Sequence, residues 1–305
     1  GDSVKICFFM YNLFDAGGIQ RVVSVLASEF AQNHDVVIQC YDKPVDENRS
    51  RYDLSGKVKI IFSKDNRYQY GLRKLLRRLN QKTAALEKKD MKKLTEFAYL
   101  LPSQQKEYKR IIEENAIDVA IAVGPYESCI LGSIAKQLHC TTIGWQHSSY
   151  RAYFETPGYG CWGIRHLFDC CIRQLDHYVV LNEYDENEFK TKMGLLCQTI
   201  HNPKSFSTNE LSDLSQKRFI SAGRMIPLKM FDKLIEAFKC FARYNDDWNL
   251  YIYGEGETRN QLANLIEEYG LQNRVFLPGF SEDMIENLRA SSCYLLSSKW
   301  EGMPM

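Results

Sequence analysis

The chain has 305 residues and a formal net charge of +1. That length favours two domains over one, and the balanced charge gives no whole-molecule attraction to nucleic acid. Its ten cysteines show no C-x-x-C spacing and its six histidines no H-x-x-x-H or H-E-x-x-H spacing, which argues against a zinc site or a redox dithiol. No apolar run is long enough to span a bilayer, and the sequence as it stands reads without a signal peptide. Cys7, Cys40, Cys129 and Cys293 fall in apolar runs and are expected as buried free thiols of a reducing compartment.

In chain order, "VKICFFM" (4–10) predicts a strand, and residues 19–30 place Ile19, Val22, Val23, Leu26, Ala27 and Phe30 on one helical face. Further strands are expected at "DVVIQCY" (35–41), "KVKIIF" (57–62), "DVAIAV" (118–123), "CTTIGWQ" (140–146) and "HYVVL" (177–181), with helical patterns between them. "HNPKSFSTNELSDLS" (201–215) breaks the rhythm and reads as a linker. The alternation resumes with strands "RFISAG" (218–223), "NLYIYG" (249–254), "RVFLPG" (274–279) and "CYLLS" (293–297), separated by helices over 229–244, 259–269 and 282–290. Strand and helix alternating in this way predict two doubly wound parallel sheets, over residues 1–203 and 204–305. Ligands of such sheets bind beyond the carboxyl ends of the strands.

"GRMIPLK" occupies such a position. Gly223 and Arg224 end a strand and Lys229 opens the expected helix. Two cations beside a helix N-terminus suit a diphosphate, Arg as a fork and Lys as a point charge. "DAGGIQR" follows the first strand, where Gly17 and Gly18 allow close approach of backbone to a ligand; a plain tight turn accounts for them as well. His147 in "WQHSS" sits at another strand end, before "YRAYFETPGYGCWG" (150–163). The rings of that loop, Tyr153 and Trp162 among them, suit stacking on a sugar face or a small hydrophobic lid. Between Lys64 and Lys93, eleven basic residues face three acids, a local net of +8. Leu72, Leu75, Leu76 and Leu79 form one helical stripe there, with Arg73, Lys74, Arg77 and Arg78 off it. Either the helix meets an anionic membrane or a lipid-linked pyrophosphate, or its leucines pack on their own domain and the cations are solvated.

Six stretches in order, "GGIQR", "QHSS", "GRMIPLK", "YIYGEGETRNQL", "VFLPGF" and terminal "EGMP", make the chain resemble the family-4 retaining glycosyltransferases of the GT-B fold along its whole length. The resemblance implies an α/β fold of two Rossmann-like domains facing a cleft, an acceptor-binding one over 1–203 and a nucleotide-sugar-binding one over 204–305. It implies that Arg224 and Lys229 stabilise the leaving diphosphate, that Gly18 touches the same phosphates, and that His147 stands beside the transferred sugar. Glu301 would be the first acid of a Glu-x7-Glu element holding donor sugar hydroxyls. Backbone N–H groups of Gly302, Met303 and Met305 would help grip the donor, and the base would lie near Pro278, Gly279 and Phe280. The family needs no divalent metal, in keeping with the absent D-x-D triplet. The second acid would fall at position 309, so the chain reads as truncated, with an incomplete second domain.

The expected activity is retaining transfer from a nucleotide sugar, a UDP-sugar by expectation, to a lipid-linked or cell-surface glycan at the cytoplasmic face of a membrane. The nucleotide sugar is a co-substrate, and no cofactor, metal or nucleic acid is expected. The alternatives are a nucleotide-sugar epimerase on the same frame and a non-catalytic nucleotide-sugar-binding protein. A dinucleotide-dependent dehydrogenase fits worst, because neither half carries G-x-G-x-x-G after its first strand.

Overall fold

The computed structural model describes residues 3–15, 17–41, 52–64, 71–204, 206 and 208–303. Met305, and Asp65 and Arg67 of the basic stretch, lie outside the described residues. The chain divides into two compact units, Gly1–Ser205 with Gly302–Met305, and Phe206–Glu301.

The first unit runs β1 (Lys5–Phe9), α1 (Gly18–Phe30), β2 (Asp35–Cys40), β3 (Lys59–Phe62), α2 (Gly71–Thr83), α3 (Lys92–Tyr99), α4 (Pro102–Glu114), β4 (Val119–Val123), α5 (Pro125–Ile134), β5 (Thr141–Trp145), α6 (Arg165–Ile172), β6 (His177–Val180), α7 (Glu183–Met193) and β7 (Gln198–Thr199). The seven strands are parallel in the order β3-β2-β1-β4-β5-β6-β7. Both faces are covered, so the central strands β1 and β4 are continuously apolar past their first residue. Ile6 and Phe8 of β1 join one core cluster, while Cys7 and Phe9 join another on the opposite face. Strand order reverses between β1 and β4, which makes the loops after those two strands the place for a ligand.

The second unit runs β8 (Arg218–Ala222), α8 (Phe231–Ala242), β9 (Asn249–Tyr253), α9 (Arg259–Glu268), β10 (Val275–Gly279), α10 (Met284–Arg289) and β11 (Cys293–Tyr294). Its parallel sheet has the order β10-β9-β8-β11, with the reversal between β8 and β11. Leu250 and Ile252 of β9 pack with Phe231, Leu234, Ile235 and Phe238 of α8 in the one core cluster of this unit's described residues. The alternate residues Tyr251 and Tyr253 turn to the other face, where the Arg218 guanidinium lies 3.8 Å from the Tyr251 ring centre.

The strand expected over 293–297 is shorter than its apolar run suggests. Only Cys293 and Tyr294 pair with β8, and Cys293, Tyr294 and Leu296 are exposed. Cys293 is therefore not the buried thiol expected, and neither Cys170 nor Cys240 is buried. Cys129 is buried, but in helix α5 rather than a strand.

Helices α5 and α6 meet at Gly132. A Cβ built there would lie 2.2 Å from the Cys171 carbonyl oxygen, so the two helices approach at a distance only glycine permits. Gly132→Ala must part them, an overpacking cost of about 1–3 kcal/mol. The expected result is a thermal midpoint several degrees lower with the helical circular dichroism retained. An unchanged midpoint would show that the helix contact is loose.

Candidate functional site

In the second unit, the polar side chains that the sequence singled out gather at the reversal of strand order. β8 ends at Ala222, and Gly223 follows with φ +158°. The Arg224 guanidinium is exposed and has no side-chain partner among the described residues. Pro227–Lys229 form a short 3-10 turn that ends on Met230 in the left-handed region, φ 49°. Helix α8 therefore begins at Phe231, two residues later than expected, and Lys229 stands in the turn before it. The Lys229 Nζ donates to Glu301 Oε1 at 2.5 Å, with the two side chains 19% and 24% exposed. The same approach is held twice more: Ser297 Oγ donates to the Lys229 carbonyl at 2.7 Å, and the Lys299 N–H to the Leu228 carbonyl at 2.9 Å. An exposed guanidinium and a half-buried, carboxylate-paired ammonium thus belong to the one turn that follows β8. The arrangement can bind a polyanion and hold it beside a carboxylate that accepts hydrogen bonds from hydroxyls.

Two glycines that sequence reasoning left without a role hold this turn. A Cβ on Gly254 would meet the Gly223 carbonyl oxygen at 2.0 Å, and one on Gly256 the Met225 carbonyl oxygen at 2.4 Å. Backbone hydrogen bonds then lock the crossing, from Met225 N–H to the Glu255 carbonyl at 2.8 Å and from Thr258 N–H to the Met225 carbonyl at 3.0 Å. The signal in the sequence was "YGEG" directly after a strand. On the neighbouring strand end, Gly279 has φ +89°; Pro278 and Phe280 are exposed, and the Phe280 ring is 64% exposed.

In the first unit, Gly17 and Gly18 open α1 beside the sheet's reversal point. The Gly17 N–H is taken by the Tyr52 hydroxyl at 2.8 Å. A Cβ on Gly18 would meet nothing within 4 Å, so its surroundings leave room for a ligand. His147 follows β5, its ring centre 4.2 Å from that of Trp145. Its Nε2 is buried with no hydrogen-bond partner among the described residues, and burial pushes its pKa down to about 3. Gly302 lies against it: a Cβ there would stand 2.7 Å from the His147 carbonyl oxygen. The Gly302 and Met303 carbonyls accept from the Asn182 and Asn202 side-chain amides at 3.1 and 3.0 Å.

The expected sugar platform is corrected. Tyr153 is only 7% exposed and belongs to a core cluster with Phe154, Phe168 and Phe189. Residues 151–155 form a single wide helical turn that drives Tyr153 and Phe154 inward. A ring in that position has no free face for a sugar. Trp162 is half-buried.

The basic helix is also turned about from the sequence reading. Leu72, Leu75 and Leu79 are 61%, 63% and 51% exposed, whereas Arg73, Lys74 and Arg77 are half-buried; Arg78 is exposed. The cause lies at the end of α3. Its last carbonyls have no partner within the helix, and Pro102 in the next one has no N–H to offer them. Arg73 donates to the Leu100 carbonyl at 3.1 Å and Arg77 to the Ala98 carbonyl at 2.6 Å, completing a helix C-terminus that already favours cations. Asn80, one turn on, is fully buried and donates to the Tyr99 hydroxyl and the Gly163 carbonyl. Lys74, Arg77 and Arg78 line a cavity of about 360 Å³, whose far wall includes Tyr126 and the buried Glu127 at the start of α5.

Residues 204–305 match the model of the family "Glycosyl transferases group 1". An uncharacterized glycosyltransferase of Haemophilus influenzae is 27% identical, over 99% of this chain and 76% of its own length. The amylovoran biosynthesis glycosyltransferase AmsD of Erwinia amylovora is 23% identical, over 99% of this chain and 76% of its own. Among solved structures, a variant of TarM from S. aureus, in complex with Fondaparinux, alpha-GlcNAc-glycerol and UDP, superposes with a TM-score of 0.70 at 14% identity. It covers 98% of this chain and 82% of its own. The last third of the chain thus resembles a glycosyltransferase group 1 domain, and the chain has the α/β GT-B-like fold.

The buried Nε2 of His147 bears on stability. A His147 that stays neutral when folded, with its pKa near 3, but titrates near its ordinary ~6.5 when unfolded, lets the unfolded state bind more protons between those values. Stability should therefore fall as pH drops from about 6.5 toward 3 and be unaffected by this group above 6.5. His147→Asn should flatten part of that acid limb in a thermal-denaturation series. An identical limb in the variant would place the titration elsewhere.

Proposed function

We propose that this protein transfers a sugar from a uridine diphosphate sugar to a lipid-linked or cell-surface glycan, with retention at the anomeric carbon and without a divalent metal. The observation that carries the reading is the Lys229–Glu301 pair, with the exposed Arg224 in the same turn after β8, at the reversal of strand order in a segment that matches glycosyltransferase group 1. The likeness to TarM bound to UDP supports a uridine nucleotide, and the likeness to an amylovoran glycosyltransferase supports a glycan product.

In this reading the donor diphosphate takes the Arg224 fork and shares the Lys229 ammonium with Glu301. Glu301 in turn accepts hydrogen bonds from donor sugar hydroxyls. Gly223, with its left-handed φ, lets the backbone come close, and the exposed Phe280 ring with Pro278 and Gly279 offers the base a surface to stack on. The acceptor hydroxyl attacks the anomeric carbon on the face that the diphosphate leaves. The carbon–oxygen bond to phosphate breaks, the new glycosidic bond forms, and the acceptor proton passes to a leaving phosphate oxygen. Negative charge builds on the diphosphate as it departs, so fixed cations lower the barrier more than they favour the bound donor. The acceptor belongs to the first unit, where the cavity lined by Lys74, Arg77 and Arg78 suits a phosphate-bearing carrier. An anionic membrane at the cytoplasmic side would present such a carrier.

In the full-length protein, Arg224→Ala and Lys229→Ala should each lower turnover by about 10²- to 10³-fold, the loss seen when one preorganised charge-stabilising donor is removed. Near-normal turnover in either variant removes that residue from the leaving-group site. Chelation by EDTA should leave transfer intact; loss of activity that manganese or magnesium restores would show that a metal shares the diphosphate.

A further inference from the structure

We propose that α2 is an in-plane membrane helix that enters an anionic bilayer leucine-first. The inference deepens the lipid-linked-acceptor reading above. It rests on the inversion of α2, in which Leu72, Leu75 and Leu79 form an i, i+3, i+7 stripe exposed by more than half each. Singly exposed leucines are common, but a continuous stripe on one helix is not. The stripe cannot turn inward without releasing Arg73 and Arg77 from the carbonyls at the end of α3.

The occupant follows from the charges around the stripe. Arg78, Lys82, Lys88, Lys89, Lys92 and Lys93 are exposed in the same segment, against one exposed acid, Asp90; Glu87 is half-buried, its carboxylate accepting from the Arg165 N–H at the start of α6. Apolar side chains ringed by lysines complement the headgroup boundary of an anionic leaflet, where each cation adds attraction and the apolar stripe adds insertion. On the neighbouring helix α3, Leu94 and Phe97 are also exposed, the Phe97 ring centre 4.2 Å from the Arg73 guanidinium. Thirteen residues make α2 too short to cross a bilayer, and no helix among the described residues is long and apolar enough to do so. α2 therefore lies on the membrane. Its other side, carrying Lys74 and Arg77, lines the cavity with Arg78 at the rim, so one helix presents leucines to lipid and cations to a phosphate behind it.

Flotation of the full-length protein with phosphatidylcholine vesicles, with and without a quarter of phosphatidylglycerol, tests this at 100 and 500 mM NaCl. No nucleotide or sugar is present, so the outcome does not depend on transfer. Binding should require phosphatidylglycerol and persist in part at high salt. Leu72→Ser, Leu75→Ser and Leu79→Ser together should cut partitioning at least tenfold with the thermal midpoint unchanged. Leu75→Trp alone should show blue-shifted emission on vesicle addition. The proposal is overturned by a triple variant that partitions like the parent, by binding lost entirely at 500 mM NaCl, or by an unshifted emission. Concentration-dependent self-association that the triple variant abolishes would also overturn it, assigning the stripe to a second copy of the chain.

Discussion

The ion pair between Lys229 and Glu301 is the contact on which the second unit's site depends. β11 contributes only two residues of ladder to its sheet, far too little to fix the chain from Leu295 to Glu301. What fixes them is the ammonium of Lys229, the Ser297 hydroxyl on the Lys229 carbonyl and the Lys299 N–H on the Leu228 carbonyl. The pair is half-buried, so removing either partner leaves a poorly solvated charge. The turn after β8 and the loop after β11 therefore behave as one object. Under the proposed function, a donor diphosphate would meet a lysine whose position is already set, at little further cost in side-chain ordering.

That object depends in turn on backbone packing that no side chain could replace. The loop after β9 passes across the turn after β8 at contact distance, with glycine at both crossings. The first unit shows a similar closeness at a different place, where Gly302 lies on the His147 carbonyl. In each case the backbone at or near a candidate site residue is approached by a glycine distant in the sequence.

The two parallel sheets were legible because buried parallel strands are continuously apolar and end sharply in glycine or polar residues. The division into two doubly wound sheets follows from that rhythm, whereas the GT-B likeness was implied by the resemblance that the six ordered motifs carry; the residues singled out do stand just after strand ends. What escaped was anything that depends on which of two faces turns inward. The periodicity of α2 shows that leucines and arginines occupy different stripes, and it is silent on which stripe meets the protein. The answer lay 21 and 27 residues downstream, in carbonyls at the end of α3, before the proline that opens the next helix. Tyr153 failed for a related reason: an aromatic loop has the same composition whether its rings cover a sugar or fill a core. Gln198–Thr199, a strand of two residues with no apolar side chain, leaves no periodic trace at all.

The distribution of the ten thiols has a practical reach of its own. Desolvation holds Cys7 and Cys161 far above the ordinary thiol range and pushes Cys197 up to about 12, so these sulfurs stay protonated and inert toward alkylating reagents. Cys170 in the first unit, and Cys240 and Cys293 in the second, are exposed. A maleimide dye added to the unaltered protein would therefore settle on a sparse set that spans both units. Native chemistry thus supplies an attachment point for a spectroscopic label on each unit without the introduction of a single new cysteine.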